Sequence, residues 1–176
     1  MTRVLLVGLM ACGKSTVGQA VSAATGWPAL DNDVLLERRT GCTAVRLLER
    51  DGLAALRSAE AEVLTLTLSL PGPLVAGVAA GVVLDDRDRE RLRSGGHVVY
   101  LRTPVAVLAR RVAELDHRPF LDGDITQSLT QMHDARDPLY LQVAGQVLDM
   151  GVLSPQQAAA AVVAAVAAAA VNGLRQ

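Results

Sequence analysis

Residues 8–15 form the segment whose residue types and spacing point most directly to chemistry: Gly-Leu-Met-Ala-Cys-Gly-Lys-Ser. Two glycines five positions apart, followed by Lys and Ser, are typical of a phosphate-binding loop. Backbone N–H groups of such a loop converge on an anion, and the positive end of the next helix adds to the attraction. We expect Lys14 to reach the β- and γ-phosphates of a nucleotide and Ser15 to bind Mg²⁺. An accidental glycine-rich turn is the alternative, but Lys14 is the only lysine in the chain, which favours the loop.

Two carboxylates, Asp31 and Asp33, follow a short apolar segment. Side chains two positions apart on an extended backbone point to the same side. One carboxylate could hold Mg²⁺, directly or through water, and the other could orient or deprotonate a hydroxyl group. A turn made by Asp and Asn side chains would give the same sequence. The pattern alone leaves both interpretations open.

Several single arginines are further candidates, because a guanidinium group offers two parallel donors to a carboxylate or a phosphate. Arg57 lies three residues before Glu60 in a helical pattern, Arg118 lies in a polar stretch, and Arg136 precedes Pro138. Most of the arginines in this chain must serve only as solvent-exposed charges. Residue type therefore does not rank these candidates.

The composition indicates one globular domain covering residues 1–176, with 51% apolar and 20% charged residues. A net charge of −1 gives no basic field for nucleic acid or an acidic membrane surface. The two cysteines form no disulfide or metal pattern, and Cys12 is expected to be a space-filling residue and not a catalytic thiol. The first apolar run is short and leads straight into the loop, and the longest, at residues 158–171, is too short to cross a bilayer. We expect a cytoplasmic protein.

Strand and helix patterns alternate along the chain. Strands are predicted at residues 3–7, 27–30, 74–78, 97–101 and 147–149. Helices are predicted at residues 14–25, 34–39, 43–50, 53–66, 85–94, 104–114, 125–136 and 154–171, and Asp137 and Pro138 are expected to interrupt the helix that begins at Ile125. This alternation predicts an α/β fold in which helices cover both faces of a parallel five-stranded sheet. Ligands of such sheets bind beyond the carboxyl ends of the strands. The polar stretch near residues 112–124 is predicted to be a mobile lid.

The combination of these motifs resembles shikimate kinase, a small P-loop kinase of the nucleoside-monophosphate-kinase-like group. The matching residues, in family order, are Gly8, Gly13, Lys14, Ser15, Thr16, Val17 and Gly18; Asp31 and Asp33; Gly52, Arg57 and Glu60; Val98, Val99, Tyr100 and Leu101; Arg110 and Arg111; Arg118, Pro119 and Leu121; and Arg136, Pro138, Leu139 and Tyr140. Many enzymes share the phosphate loop, whereas the later motifs are much more specific.

The resemblance implies a monomeric kinase that uses ATP and Mg²⁺ and transfers the γ-phosphoryl group to the 3-hydroxyl of shikimate. It implies catalytic roles for Lys14, Asp33 and Arg118 and metal ligation by Ser15 and Asp31. It implies nucleotide contacts at Gly8, Ala11, Cys12, Gly13, Lys14, Ser15, Thr16, Arg111, Arg118 and Pro155. It implies acceptor contacts at Asp33, Arg57, Ala79, Ala80, Gly81 and Arg136, with Glu60 steadying Arg57.

The acceptor side departs from the family pattern at Ala79, Ala80 and Gly81, where the family has three glycines. A methyl group at a site that needs a positive φ or close approach would shift the backbone or the substrate. Two alternatives follow: a kinase for another anionic hydroxylated metabolite such as gluconate, or a nucleotide-binding regulator without catalysis. The retained acceptor-side charges argue against the regulator.

Overall fold

A sheet of five parallel strands forms the centre of the computed structural model, which describes residues 2–114 and 124–173. The strands are β1 Arg3–Val7, β2 Ala29–Leu30, β3 Leu74–Gly77, β4 His97–Arg102 and β5 Gln146–Asp149, in the spatial order β2-β3-β1-β4-β5. All four neighbouring pairs are parallel. Residues 4–7 of β1 are all buried although successive side chains point to opposite faces, so both faces of the sheet are covered. The predicted fold class is confirmed.

Seven helices connect and cover the strands in the described part of the chain. They are α1 Lys14–Thr25, α2 Asn32–Thr40, α3 Ala44–Ser69, α4 Asp86–Gly95, α5 Val105–Ala113, α6 Ile125–Val143 and α7 Pro155–Gly173, with a 3₁₀ turn at Val82–Leu84. Among these residues, no helix is both long and apolar enough to cross a membrane. Residues 115–123, which make up most of the predicted lid, lie outside the described residues.

The start of α7 forms as its sequence predicts. The Ser154 hydroxyl accepts a hydrogen bond from the Gln157 backbone N–H at 3.2 Å, and the Gln157 side chain accepts one from the Ser154 N–H at 2.9 Å. This reciprocal pair satisfies two backbone donors that the helix itself leaves without partners.

The predicted break at Gly52 is present as a kink inside α3. Gly52 has φ 84° and ψ 177°, which is not helical, and the helix continues on both sides of it. A left-handed φ is accessible to glycine at little cost, so the chain changes direction here. Element α3 therefore consists of two helical segments joined at Gly52, as predicted, and the second segment extends beyond residue 66 to Ser69.

The predicted interruption at Asp137 and Pro138 is wrong. Helix α6 continues through Pro138 to Val143. Proline removes one backbone hydrogen bond from the helix interior and disfavours the helix there. Burial of Tyr140 and Val143 in the main core holds the final turns in place despite that loss.

Two hydrophobic clusters stabilise the structure. The larger surrounds the sheet and is built mainly from Val, Leu and Ala. The smaller lies between α2 and α3 and consists of Leu36, Leu47, Leu56, Ala59 and Val63. The phosphate loop thus rests on the larger cluster, whereas α2 and the first part of α3, up to Val63, pack in the smaller one.

Candidate active site

The loop between β1 and α1 has the backbone of an anion cradle. Gly8, Ala11 and Gly13 have φ values of 146°, 59° and 104°. A β-carbon on Gly8 would lie 2.8 Å from the Cys12 sulfur and 3.0 Å from the Leu101 carbonyl oxygen, so both space and φ require glycine there. Within the described residues no side chain caps the first turn of α1, whose N–H groups are therefore suited to an anion.

Lys14 folds back over this loop. Its ammonium group donates hydrogen bonds to the carbonyl oxygens of Gly8 at 2.9 Å and Leu9 at 3.0 Å. The Cys12 side chain is only 1% exposed, and its sulfur lies 3.8 Å from the Lys14 nitrogen. This agrees with the predicted space-filling role of Cys12, and it places the ammonium beside the anion cradle.

The predicted metal ligands lie together. The Ser15 hydroxyl donates to one oxygen of Asp31 at 2.5 Å. Hydroxyl and carboxylate oxygens are ligands that Mg²⁺ prefers. Among the described residues no group of three or more His, Cys, Asp and Glu side chains could hold a metal ion.

Asp31 also forms the turn that the sequence offered as the alternative to a metal-binding or catalytic role. It is the N-cap of α2, and its second oxygen accepts from the Asp33 backbone N–H at 2.9 Å. The expectation that Asp31 and Asp33 share one side of an extended backbone is wrong, because the cap turns the chain into a helix and Asp33 lies in its first turn. Both carboxylates nevertheless line the same cavity.

That cavity has a volume of about 820 Å³. Residues predicted to contact the nucleotide and residues predicted to contact the acceptor both line it. Predicted nucleotide-side residues in its lining are Ala11, Cys12, Gly13, Lys14, Ser15, Thr16, Arg111 and Pro155. Predicted acceptor-side residues in its lining are Asp33, Ala79 and Ala80, together with Glu60. Gly8, Gly81, Arg57 and Arg136 do not line it but contact residues that do.

A cluster of opposite charges borders the acceptor side. The Arg57 guanidinium donates to a Glu60 carboxylate oxygen at 2.5 Å, and Glu60 is only 7% exposed. Burial raises the pKa of Glu60, while the positive charge of Arg57 opposes that rise. The charges of Arg136 and Asp33 are also close enough to act on this carboxyl group. Two cations and two carboxylates therefore surround one part of the cavity.

The two alanines do not strain the backbone. In the described part of the chain, Ala11 is the only non-glycine residue with a positive φ. Neither Ala79 nor Ala80 therefore adopts a positive φ. Gly81 is helical, with φ −87° and ψ −16°, but a β-carbon on it would overlap the Arg57 guanidinium and lie 2.8 Å from a Glu60 oxygen. Alanine at 79 and 80 therefore violates no positive-φ requirement, while the expected effect of the two methyl groups on close approach of the acceptor stays a prediction.

Arg111 lies on the nucleotide side, where it donates to the Ala11 carbonyl oxygen at 2.9 Å. Arg118, the predicted lid arginine, lies outside the described residues.

The shikimate kinase sequence model matches residues 10–167, which is most of the chain. The chain belongs to the shikimate kinase family. It is thus an enzyme, a phosphotransferase with an alcohol group as acceptor, and its family uses ATP.

Similar proteins support this family assignment at both sequence and structure level. A shikimate kinase of Oleidesulfovibrio alaskensis is 36% identical over 153 residues, covering 85% of this chain and 88% of the relative. The structure of shikimate kinase from Acinetobacter baumannii in complex with shikimate superposes with a TM-score of 0.89 at 31% identity, covering 96% of this chain and 94% of that one. A gluconokinase from Sinorhizobium meliloti gives a TM-score of 0.67 at 20% identity over 98% and 97% of the two chains, which shows a shared fold alone.

Sequence analysis missed some residues of this shikimate kinase family site. Thr43, Ala44, Val45 and Leu56, from the start and middle of α3, also line the cavity. Tyr140 donates a hydrogen bond at 2.8 Å to the carbonyl oxygen of Ala80. Sequence analysis named Tyr140 as part of the motif that begins at Arg136 but gave it no role, because the predicted interruption at Asp137 and Pro138 separated the two residues. In the structure both lie on α6, four residues apart and on one helix face. The α3 residues carry no comparable sequence pattern.

Proposed function

We propose that the protein transfers the γ-phosphoryl group of ATP to the 3-hydroxyl of shikimate, with the residues of the cavity in the roles described below. The observation that carries the proposal is that the phosphate loop and the acceptor-side residues Asp33 and Glu60 line one cavity of about 820 Å³. Arg57 and Arg136 contact lining residues at its border. A donor and an acceptor bound in one cavity react as an effectively intramolecular pair. Identity of about 35% to proteins named shikimate kinase supports the choice of acceptor.

The loop is suited to the β- and γ-phosphates of ATP. Lys14 would exchange its bonds to the Gly8 and Leu9 carbonyl groups for bonds to phosphate oxygens, since an anion is a stronger partner than a carbonyl. Ser15 and Asp31 would hold Mg²⁺, which supplies positive charge to the phosphate oxygens. On the same side we propose that Arg111 and Pro155 flank the adenine, and that Arg118 supplies positive charge to the transferring group.

The acceptor side is suited to a hydroxylated carboxylate. We propose that Arg57 and Arg136 bind the carboxylate and that Asp33 orients the attacking hydroxyl and accepts its proton. The hydroxyl oxygen then forms the new bond to the γ-phosphorus as the bond from that phosphorus to the bridging oxygen of ADP breaks. Glu60 keeps Arg57 in position through the 2.5 Å ion pair.

We further propose that the protein acts as a monomer in the cytoplasm, where ATP is supplied. The support for the monomer is that, within the described ranges, donor-side and acceptor-side residues already line one cavity, so the proposed site needs no residue from a second copy. Light scattering on the purified protein, with and without ligands, tests the monomer.

The decisive experiment is a coupled ADP-release assay with Mg²⁺-ATP, run with shikimate, with gluconate and with no acceptor. We expect an ADP-forming rate that depends on shikimate, and its loss in Lys14→Ala. A rate with gluconate but not with shikimate would replace the proposed acceptor. Nucleotide binding without a rate on either acceptor would leave the nucleotide site in place and move the search to other anionic hydroxylated acceptors.

A further inference from the structure

Two side chains of α6 meet at one backbone atom on the acceptor side of the cavity. The Ala80 carbonyl oxygen accepts a hydrogen bond of 2.8 Å from the Tyr140 hydroxyl and a longer one, 3.4 Å, from the Arg136 guanidinium. Ala80 lines the cavity. We call residues 79–81 the acceptor loop. The Ala80 carbonyl therefore links this loop to Arg136, the arginine proposed to bind the acceptor carboxylate.

The Tyr140 hydroxyl is fixed by its surroundings. The residue is 1% exposed, and its ring stacks on Tyr100 with centroids 4.8 Å apart and an angle of 28° between the ring planes. The Tyr100 hydroxyl donates to Asp137 at 2.8 Å, and that carboxylate accepts two bonds from Arg102 at 2.9 and 3.0 Å. Burial raises the pKa of Tyr140, so the hydroxyl keeps its proton and remains a donor.

The difference between the two hydrogen bonds has a consequence for Arg136. The shorter bond from Tyr140 occupies one lone pair of the carbonyl oxygen, and the bond from Arg136 to the same oxygen is near the long limit for this interaction. If the tyrosine hydroxyl were removed, Arg136 would be the one of these two donors that remains, and we expect its guanidinium to move closer to the carbonyl oxygen. A guanidinium held more tightly there would have fewer N–H groups to offer to an acceptor carboxylate.

We propose that Tyr140 is a positioning residue for acceptor binding: its hydroxyl fixes the Ala80 carbonyl and leaves Arg136 available for the carboxylate of the acceptor. This inference rests on the proposed function. Tyr140 is not among the residues that line the cavity, so its role would be exerted through Ala80 and Arg136.

The test compares Tyr140→Phe with Tyr100→Phe in the ADP-release assay. Both variants remove one hydroxyl from a buried, stacked tyrosine ring, so Tyr100→Phe is the matched control. We expect Tyr140→Phe to raise the KM for shikimate about fivefold, the usual scale for one hydrogen bond, while kcat and the KM for ATP stay within about twofold. Tyr100→Phe should leave both KM values unchanged, because its hydroxyl contacts Asp137 and not the acceptor loop.

Unchanged shikimate KM in Tyr140→Phe would overturn the proposal, and so would an equal rise in Tyr100→Phe, which would indicate a merely structural effect. The wild-type protein is measured in the same assay. If the proposed function is wrong, the wild type itself shows no shikimate-dependent rate, whereas if only the role of Tyr140 is wrong, the wild type is active and Tyr140→Phe has the same KM for shikimate. Crystal structures of the wild type and of Tyr140→Phe give a readout that needs no activity. We expect the distance from Arg136 to the Ala80 oxygen to shorten in the variant, and an unchanged distance would refute the mechanism.

Discussion

Gly81→Ala is the substitution that most directly tests the arrangement of the acceptor side. A β-carbon at this position overlaps the Arg57 guanidinium and lies 2.8 Å from a Glu60 oxygen. The backbone itself tolerates alanine, because its φ is −87° and its ψ is −16°. The flexible end of Arg57 must therefore move, and its 2.5 Å bond to Glu60 is broken or distorted.

The expected magnitude follows from that one interaction. A hydrogen bond that involves charged groups contributes about 1.5–3 kcal/mol, and each 1.4 kcal/mol corresponds to tenfold in affinity. If Arg57 leaves the carboxylate of shikimate, the KM for shikimate should rise about 10- to 150-fold. Since Glu60 also loses its partner in a buried position, we expect the free energy of unfolding to fall by about 1–3 kcal/mol.

The assay for Gly81→Ala is steady-state kinetics at saturating ATP, combined with urea unfolding. Gly18→Ala is the matched control: Gly18 is also buried and non-strained, and its added β-carbon would lie 3.7 Å from the Leu6 side chain, which is ordinary contact. We expect the control to keep its kinetics and to gain slightly in stability, since alanine favours a helix over glycine. A folded Gly81→Ala protein with the wild-type KM for shikimate would refute the proposed role of Arg57.

Three further predictions use other parts of the molecule. Lys14→Ala should lower kcat at least about 100-fold while the melting temperature changes little, because the transition-state charge loses a cation; wild-type kcat would contradict this. Burial raises the pKa of Glu60, so its contribution to the free energy of unfolding is present below pH 4.5 and is lost as the pH rises through the folded-state pKa. Urea unfolding at several pH values should show this slope in the wild type and not in Glu60→Gln, and equal slopes would contradict it. Ser154→Ala should cost about 1 kcal/mol of stability through the lost cap and leave kcat unchanged, and an unaltered urea midpoint would contradict it.

Features that depend on neighbouring residues could be predicted from sequence. The phosphate loop is contiguous, and its glycines, its lysine and its flanking strand and helix all lie within about 25 residues. The Ser154 cap is equally local, since its partner is three residues away. The alternation of strand and helix patterns in turn predicts the parallel sheet, because parallel strands require crossover connections.

Features that depend on distant residues could not be predicted from sequence. Asp31 makes a turn and also reaches Ser15, and a linear pattern could not show that these two interpretations are compatible. The continuation of α6 through Pro138 depends on the core around Tyr140, which overrides the local preference of proline. The requirement for glycine at 81 depends on where Arg57 lies, and that position is set by α3 and not by the acceptor loop.

The separate hydrophobic cluster of α2 and α3 has a consequence for how the protein opens. Adjacent residues of α3 belong to different clusters: Val63 packs in the smaller one and Leu64 in the one around the sheet. A small cluster stabilises its segment weakly, and segments of that kind unfold locally without global unfolding. We therefore expect backbone amides of α2 and of the first half of α3 to exchange with solvent faster than those of β1 and β4. Sequence changes in the smaller cluster could then alter acceptor preference while the nucleotide half stays intact.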